Sequence, residues 1–196
     1  MPPHTLTLRQ LLDDYGRTYA SEAGITLRDK PAPLYQLLVL ATLQSTRIRA
    51  DIAAAAAKEL FTAGFRTPQR MLDATWQQRV DALGRGGYAR YDESTATRLG
   101  DGAELLLKTW RGDLRRLRSP HRELQQFPGI ASAGADIFCR EVQAVWPRLR
   151  PFFDQRSLDA AQRYGLPTDP KKLAGLVPDD QVAVLATALV RSTLRA

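Results

Sequence analysis

The chain has 196 residues, 44% hydrophobic and 25% charged, enough for one globular domain or two small ones with a real core. Its 28 Lys and Arg against 21 Asp and Glu leave a formal charge of +7, which favours an anionic partner such as nucleic acid. One cysteine, Cys139, excludes an intramolecular disulfide and a four-thiolate iron–sulfur or zinc site within this chain, and two histidines, His4 and His121, argue against a histidine-rich metal centre.

The chain opens with "MPPHTLTLRQ", which lacks the basic and apolar regions of a secretory leader. "LTLRQLLDDYGRTYA" then places Leu8, Leu11, Leu12 and Tyr15 on one helix face. A soft boundary follows at "RDKPAP", residues 28–33. "APLYQLLVLATLQS" is apolar nearly throughout, as a helix buried on most sides would be. "DIAAAAAKELFTA" has strong helix propensity, small side chains for close packing, and Asp51 as a candidate cap. "TPQRMLDA" starts with a cap-like Thr67 before Pro68. "TWQQRVDALG" is expected to stop at Gly84, and "DESTATRLGDGAELLLKTW" reads as a longer helix weakened at its glycines. "SLDAAQRYG" and "DDQVAVLATALVRSTLR" close the series, separated by the Pro-, Gly- and Asp-rich residues 165–180. No run alternates like a strand, no hairpin signal occurs, and no apolar run approaches the roughly 20 residues of a membrane span. The expected fold is all-α, about nine or ten helices in two lobes: a central domain over 34–150, and a second lobe formed by 1–33 with 151–196.

One stretch breaks the helical pattern sharply: "LQQFPGIASAGADIFCREV", Leu124 to Val142. It is not a Walker loop, because Ala135 and Asp136 follow Gly134 where Lys and Ser/Thr are needed. Ala131 occupies the middle glycine position of a dinucleotide fingerprint, and Ile130 that of the first glycine of a nucleophile elbow. A helix, a Phe-Pro-Gly turn and a second helix remain. Such a turn aims unpaired N–H groups of the second helix at one point, where a nucleic-acid phosphate fits. It can equally be a tight corner in a helical protein. The preceding "RGDLRRLRSPHR" carries Arg111, Arg115, Arg116, Arg118 and Arg122 with Asp113 the sole acid. A basic cluster beside the turn favours the phosphate reading.

"LQQFPGIASAGADIF" followed by "FFDQRSLDAAQRYG" resembles the helix-hairpin-helix and Gly/Pro-Asp motif of the endonuclease III-like DNA glycosylases. "LVLATLQSTR" is similar to that family's glutamine-bearing helix end, and "LGRGGYARYDES" to its G-x-G-x-Y-A-R segment. These elements occur in the family's order over about residues 30–165. The resemblance implies an all-helical DNA glycosylase that binds double-stranded DNA, spans no membrane, and works as a cytoplasmic, nucleoid-associated monomer. It implies DNA contacts from Gly129, Ile130, Ala131, Ser132, Ala133 and Gly134, from Arg115, Arg116 and Arg118, and from Gln44, Tyr88 and Arg90. Gln44 would pair with the base left behind by flipping, and Tyr88 or Arg90 would fill the gap. A base pocket between the two lobes would be lined by Tyr35, Tyr91 and Phe153.

Asp154, 25 residues after Gly129, matches the family's essential carboxylate at a slightly long spacing. As a catalyst it would stabilise a cationic sugar and activate water. As a plain N-cap it could be replaced by asparagine or serine. The chain departs from the pattern at Ala133, where bifunctional members carry the Schiff-base lysine, at Ala131, and in lacking a cysteine cluster. The implied activity is therefore monofunctional hydrolysis of an N-glycosidic bond, with no metal and no cofactor beyond a monovalent cation at the hairpin turn. Two rivals stand beside it: an inactive member that binds distorted or branched DNA, and a helical protein–protein adaptor.

Overall fold

A computed structural model describes residues 7–194; His4, with the rest of residues 1–6 of the stretch read above for a leader, lies outside them. The described residues contain twelve α-helices, four short 3₁₀ turns and no strand. The all-α expectation holds. The helix number exceeds it because three helices of four or five residues carry too little periodicity to be read from sequence.

The chain divides into two compact units, Tyr19–Phe138 and a second that joins the N-terminal segment through Thr18 to Cys139 onward. The boundaries fall at 18/19 and 138/139 rather than at the expected 33/34 and 150/151. On the N-terminal side, α2 (Tyr19–Glu22) packs on α4 (Ala50–Thr62), inside the larger unit.

The larger unit is built round α3 (Pro31–Gln44), which buries every residue from Leu37 to Leu43. Its sequence has almost no polar face, so it is enclosed by neighbours. On it lie α4 (Ala50–Thr62) and the 19-residue α7 (Asp92–Trp110). The glycines of α7 do not interrupt it. Gly100 makes room for the guanidinium of Arg79, whose nearest nitrogen would lie 2.7 Å from an added Cβ. α5 (Pro68–Asp73) and α6 (Trp76–Arg85) pack against α7. Thr67 caps α5 as its sequence suggests, accepting from the Arg70 N–H. Asp51 does not cap α4: the chain enters the helix at Arg49, and Asp51 lies in the first turn, paired with Arg49 at 2.6 Å. α6 runs through Gly84 to Arg85 before Gly86 caps it. An added Cβ at Gly86 would overlap the backbone of Ala56, so the alanine-rich face of α4 serves close approach.

In the smaller unit α12 (Val182–Leu194) packs against both α1 (Leu8–Tyr15) and α10 (Gln155–Arg163). Leu11, Phe153, Leu173, Leu185 and Leu189 form its core, each worth about 1.5–3 kcal/mol when fully buried. Leu8, Leu12 and Tyr15 pack on its margin, as the spacing in α1 requires.

Candidate nucleic-acid interface

The hairpin is formed by α8 (Pro120–Glu123), a 3₁₀ turn over Leu124–Gln126, the Phe127–Ala131 turn, and α9 (Ser132–Val142). Phe127 is buried and stacks on Trp110 with ring centroids 5.3 Å apart. Gly129 has φ +84°, a left-handed conformation that favours glycine. Ile130 is buried, while Ala131, Ser132 and Ala133 are exposed. Gly134 is buried where a Cβ would overlap the Ser45 hydroxyl, which locks the turn to the C-terminal end of α3. Ala131 has no positive φ, so alanine costs the turn nothing there. The bond from the Ala135 N–H to the Ala131 carbonyl is 3.0 Å long. The N–H groups of Ser132, Ala133 and Gly134 precede it at the head of α9, where a helix supplies no acceptors.

Two side chains brace this turn that sequence reasoning did not single out. Glu123 accepts from the backbone N–H groups of Arg118 (2.7 Å) and Ser119 (2.5 Å) and from the Trp110 indole. Burial pushes its carboxyl up, but those N–H groups outweigh burial and hold it below the usual range. His121 Nε2 lies 2.8 Å from Asp136 Oδ1 and joins α8 to α9. Glu123 stands four residues after Ser119, one place beyond the capping-box spacing, and the His121–Asp136 pair needs the hairpin to be closed first, so no local rule reveals either.

The basic stretch is exposed at Arg111, Arg115, Arg116, Arg118 and Arg122. Arg115 is tied to Asp113 at 2.9 Å, and Asp113 also caps the 3₁₀ turn Leu114–Arg116. The Arg115 hydrogen bond holds the Asp113 carboxyl below its usual range. Arg115 therefore already has a carboxylate partner, whereas Arg111, Arg116, Arg118 and Arg122 are exposed without an ion pair among the described residues.

Gln44 is half-buried at the end of α3, and its Nε2 is buried with no hydrogen-bond acceptor among the described residues. Tyr88 requires a correction. It is fully buried, and its hydroxyl donates to the Leu43 carbonyl at 2.9 Å and contacts the Thr46 hydroxyl. In that position it anchors the α6–α7 loop and cannot wedge into a duplex. Burial pushes its phenol above the ordinary value. Arg90 is exposed, with its guanidinium 5.3 Å from the centre of the half-buried Tyr91 ring.

Of the three expected pocket residues, Tyr35 lines a cavity inside its own unit. A cleft within the larger unit is lined by Tyr35, Thr42, Arg98, Leu99, Phe127 and Pro128 among others, but not by Tyr91. Tyr35 is buried with no hydrogen-bond partner for its hydroxyl among the described residues, and burial drives its phenol far above the ordinary range. Phe153 sits in the hydrophobic core of the smaller unit, so its ring is spent on packing.

Asp154 is the N-cap of α10. Its Oδ1 accepts from the Ser157 N–H at 3.1 Å and from the Ser157 hydroxyl, and its Oδ2 accepts from Arg140. Both side chains of the ion pair are 3% exposed. Burial raises the Asp154 carboxyl, but the Arg140 charge and the Ser157 bonds outweigh it and leave the group below the ordinary value. The loop leading to it is fixed by Gln143, whose amide donates to the carbonyls of Arg140 and Phe152 and accepts from the Phe152 N–H. Arg140 and Gln143 were not legible as site residues, since each reads as an ordinary helix residue. Among the described residues no three His, Cys, Asp or Glu side chains gather as metal ligands, and no helix is long and apolar enough to cross a membrane.

No family model matches the chain. No curated protein matches it either. Among solved structures it is similar to a trapped endonuclease III–DNA covalent intermediate, an estranged-adenine complex, at 17% identity and a TM-score of 0.56 over 94% of this chain and 85% of that one. It is also similar to a non-covalent endonuclease III–DNA complex, with a TM-score of 0.52 at the same identity and coverage. The helices of this chain are thus arranged in the endonuclease III fold.

Proposed function

We propose that the protein binds the backbone of double-stranded DNA through the Phe127–Gly134 turn and excises a damaged or mispaired base as a monofunctional N-glycosylase. The observation that carries this reading is the turn itself: an exposed tip, N–H groups open at the head of α9, and exposed arginines just upstream. Phosphate contacts of this kind fix position without reading sequence. The endonuclease III structures with the same fold were solved on DNA, which supports the reading.

In this proposal the target base leaves the stack, and the buried Gln44 Nε2 donor and the exposed Arg90 serve the gap. Asp154, held ionised by Arg140, stabilises positive charge at the sugar. Its low basicity makes it a weak proton acceptor, so counter-charge is the larger part of its role. Ala133 offers no amine for a Schiff base, so water is the nucleophile and the product is an intact strand with an abasic site. A monovalent cation at the turn would be held by backbone carbonyls, of which those of Phe127 and Ala131 already accept one hydrogen bond each. The working form is a cytoplasmic, nucleoid-associated monomer.

A second reading has its own observation. The Asp154 charge is buried and already balanced by Arg140, which suits a protein that binds DNA without excision. Duplexes bearing uracil, oxidised, alkylated or mispaired bases, incubated with the protein and then treated with alkali, separate the two. Alkali-dependent strand breaks at one lesion support the glycosylase. Tight binding with no break on any lesion supports the second reading.

A further inference from the structure

Arg98 belongs to none of the segments that resemble the glycosylase motifs. It lies on α7, and four residues further along the same face is Gly102, whose added Cβ would sit 3.8 Å from the Phe127 ring and 4.0 Å from Pro128. This face of α7 therefore seats the Phe-Pro-Gly turn. At its upstream end the Arg98 stem lies across Gly129: a Cβ there would meet Arg98 Cδ at 2.9 Å, Nε at 3.5 Å and a terminal nitrogen at 3.6 Å. Gly129 is glycine because of its positive φ, and the Arg98 side chain lies where a Cβ there would point. Arg98 is half-buried, lines the cleft beside Phe127 and Pro128, and makes no ion pair or hydrogen bond among the described residues. A guanidinium with a packed stem and no carboxylate beside an exposed turn is a preorganised cation without an anion.

We propose that Arg98 is a phosphate-binding residue of the hairpin, gripping a DNA phosphodiester beside the Gly129 backbone. The proposal rests on the DNA-binding reading above, and adds to it a contact contributed from outside the helix-hairpin-helix motif. An arginine here has a forked donor set suited to a phosphate, and little flexibility is left to lose when the phosphate arrives.

The test is fluorescence anisotropy with an undamaged duplex over a range of salt, for the wild type, Arg98→Gln, Arg98→Lys, and Arg70→Gln as an exposed control on α5. Loss of one phosphate contact lowers the magnitude of the slope of log K against log salt by about 0.9, so between about 50 and 200 mM salt the Arg98→Gln protein loses roughly 3-fold less affinity than the wild type. Arg98→Lys keeps the charge and most of the slope, and Arg70→Gln matches the wild type. A wild-type slope for Arg98→Gln overturns the proposal, as does weaker binding at an unchanged slope with a lowered melting temperature, which would make Arg98 a packing residue. A wild type without salt-dependent DNA affinity would instead overturn the wider DNA-binding reading, and this proposal with it.

Discussion

Replacing Asp154 by asparagine tests stability and chemistry at once, and the structure makes the two separable. Asparagine is close in size and can still accept from the Ser157 N–H, so the α10 cap, worth about 1 kcal/mol, is kept. What is lost is the partner of a guanidinium that is 3% exposed. Arg140 Nε already lacks an acceptor among the described residues, and none of them stands ready to replace the lost carboxylate. Breaking one side of a buried pair costs about 3–5 kcal/mol. For a chain of this size each kcal/mol shifts the melting temperature by about 2–4 °C, which places Asp154→Asn roughly 6–20 °C below the wild type. Removing both charges relieves the orphaned cation, so Arg140→Met/Asp154→Asn melts well above Asp154→Asn alone. The assay is thermal and urea unfolding of the wild type, both single variants and the double variant, followed by single-turnover excision at a temperature where all four are folded. Melting of Asp154→Asn within about 2 °C of the wild type would refute the argument that Arg140 depends on Asp154. Excision that survives in folded Asp154→Asn would separately remove the carboxylate from the chemistry.

Changing Arg116 and Arg118 together to alanine should flatten the salt dependence of duplex binding by up to about 0.9 per lost phosphate contact, whereas Arg115→Ala should do less because Asp113 already holds Arg115; anisotropy titrations distinguish the two. Gly134→Ala should weaken DNA binding and lower the melting temperature, since the new methyl overlaps the Ser45 hydroxyl and lies 3.2 Å from Ile130 Cγ2; wild-type affinity would show that the turn is not locked to α3. Borohydride in the presence of abasic DNA should trap no adduct that maps to residues 129–136, because Ala133 has no amine; an adduct there, by peptide mapping, would overturn the hydrolytic reading. Acid stability follows from the sign of the Asp154 shift. A carboxyl depressed in the folded state contributes fully above the ordinary value near ~3.9 and loses that contribution as pH falls through its lower folded pKa, so Asp154→Asn should show a shallower acid loss of stability than the wild type in a pH-resolved melt.

The hairpin was legible because its chemistry is local. A Phe-Pro-Gly turn needs the left-handed φ of Gly129 and a small residue at Gly134, and both demands leave a mark on the sequence. The helices were legible where periodicity ran for eight residues or more, and the six-residue α5 through its Thr67-Pro68 start. Tyr88 was misread because a tyrosine after two glycines looks the same whether it faces solvent or the interior. What decides its position is the Leu43 carbonyl, one of the acceptors left open at the C-terminal end of α3, which takes the phenol and the Thr46 hydroxyl. That demand becomes visible only when α3 and the α6–α7 loop are brought together. The place of Phe153 was not legible either: a Phe-Phe-Asp string does not say which ring enters the core of the smaller unit. The Arg140–Asp154 pair spans 14 residues and depends on how Gln143 folds the intervening loop, a tertiary fact that no local rule contains.

That pair also bears on whether a carboxylate is compatible with the proposed DNA-binding role at all. An unbalanced buried anion would be protonated or would disrupt its surroundings, and in either case the cap of α10 would weaken. Arg140 prevents this, keeping the group ionised without adding net negative charge against the phosphates. The same balance limits chemistry, because a cationic sugar gains less from a neutral pair than from a free carboxylate. The two roles conflict over one charge, and the strength of the Arg140 contact decides between them. A tight pair gives a stable cap and a silent carboxylate; a pair that loosens on DNA gives a catalyst. Arg140→Lys, which keeps the charge but moves the donor to a shorter ammonium, shifts that balance without orphaning Asp154. It should raise excision relative to DNA affinity in the glycosylase, at some cost in melting temperature, and should leave excision at zero in a pure binding protein.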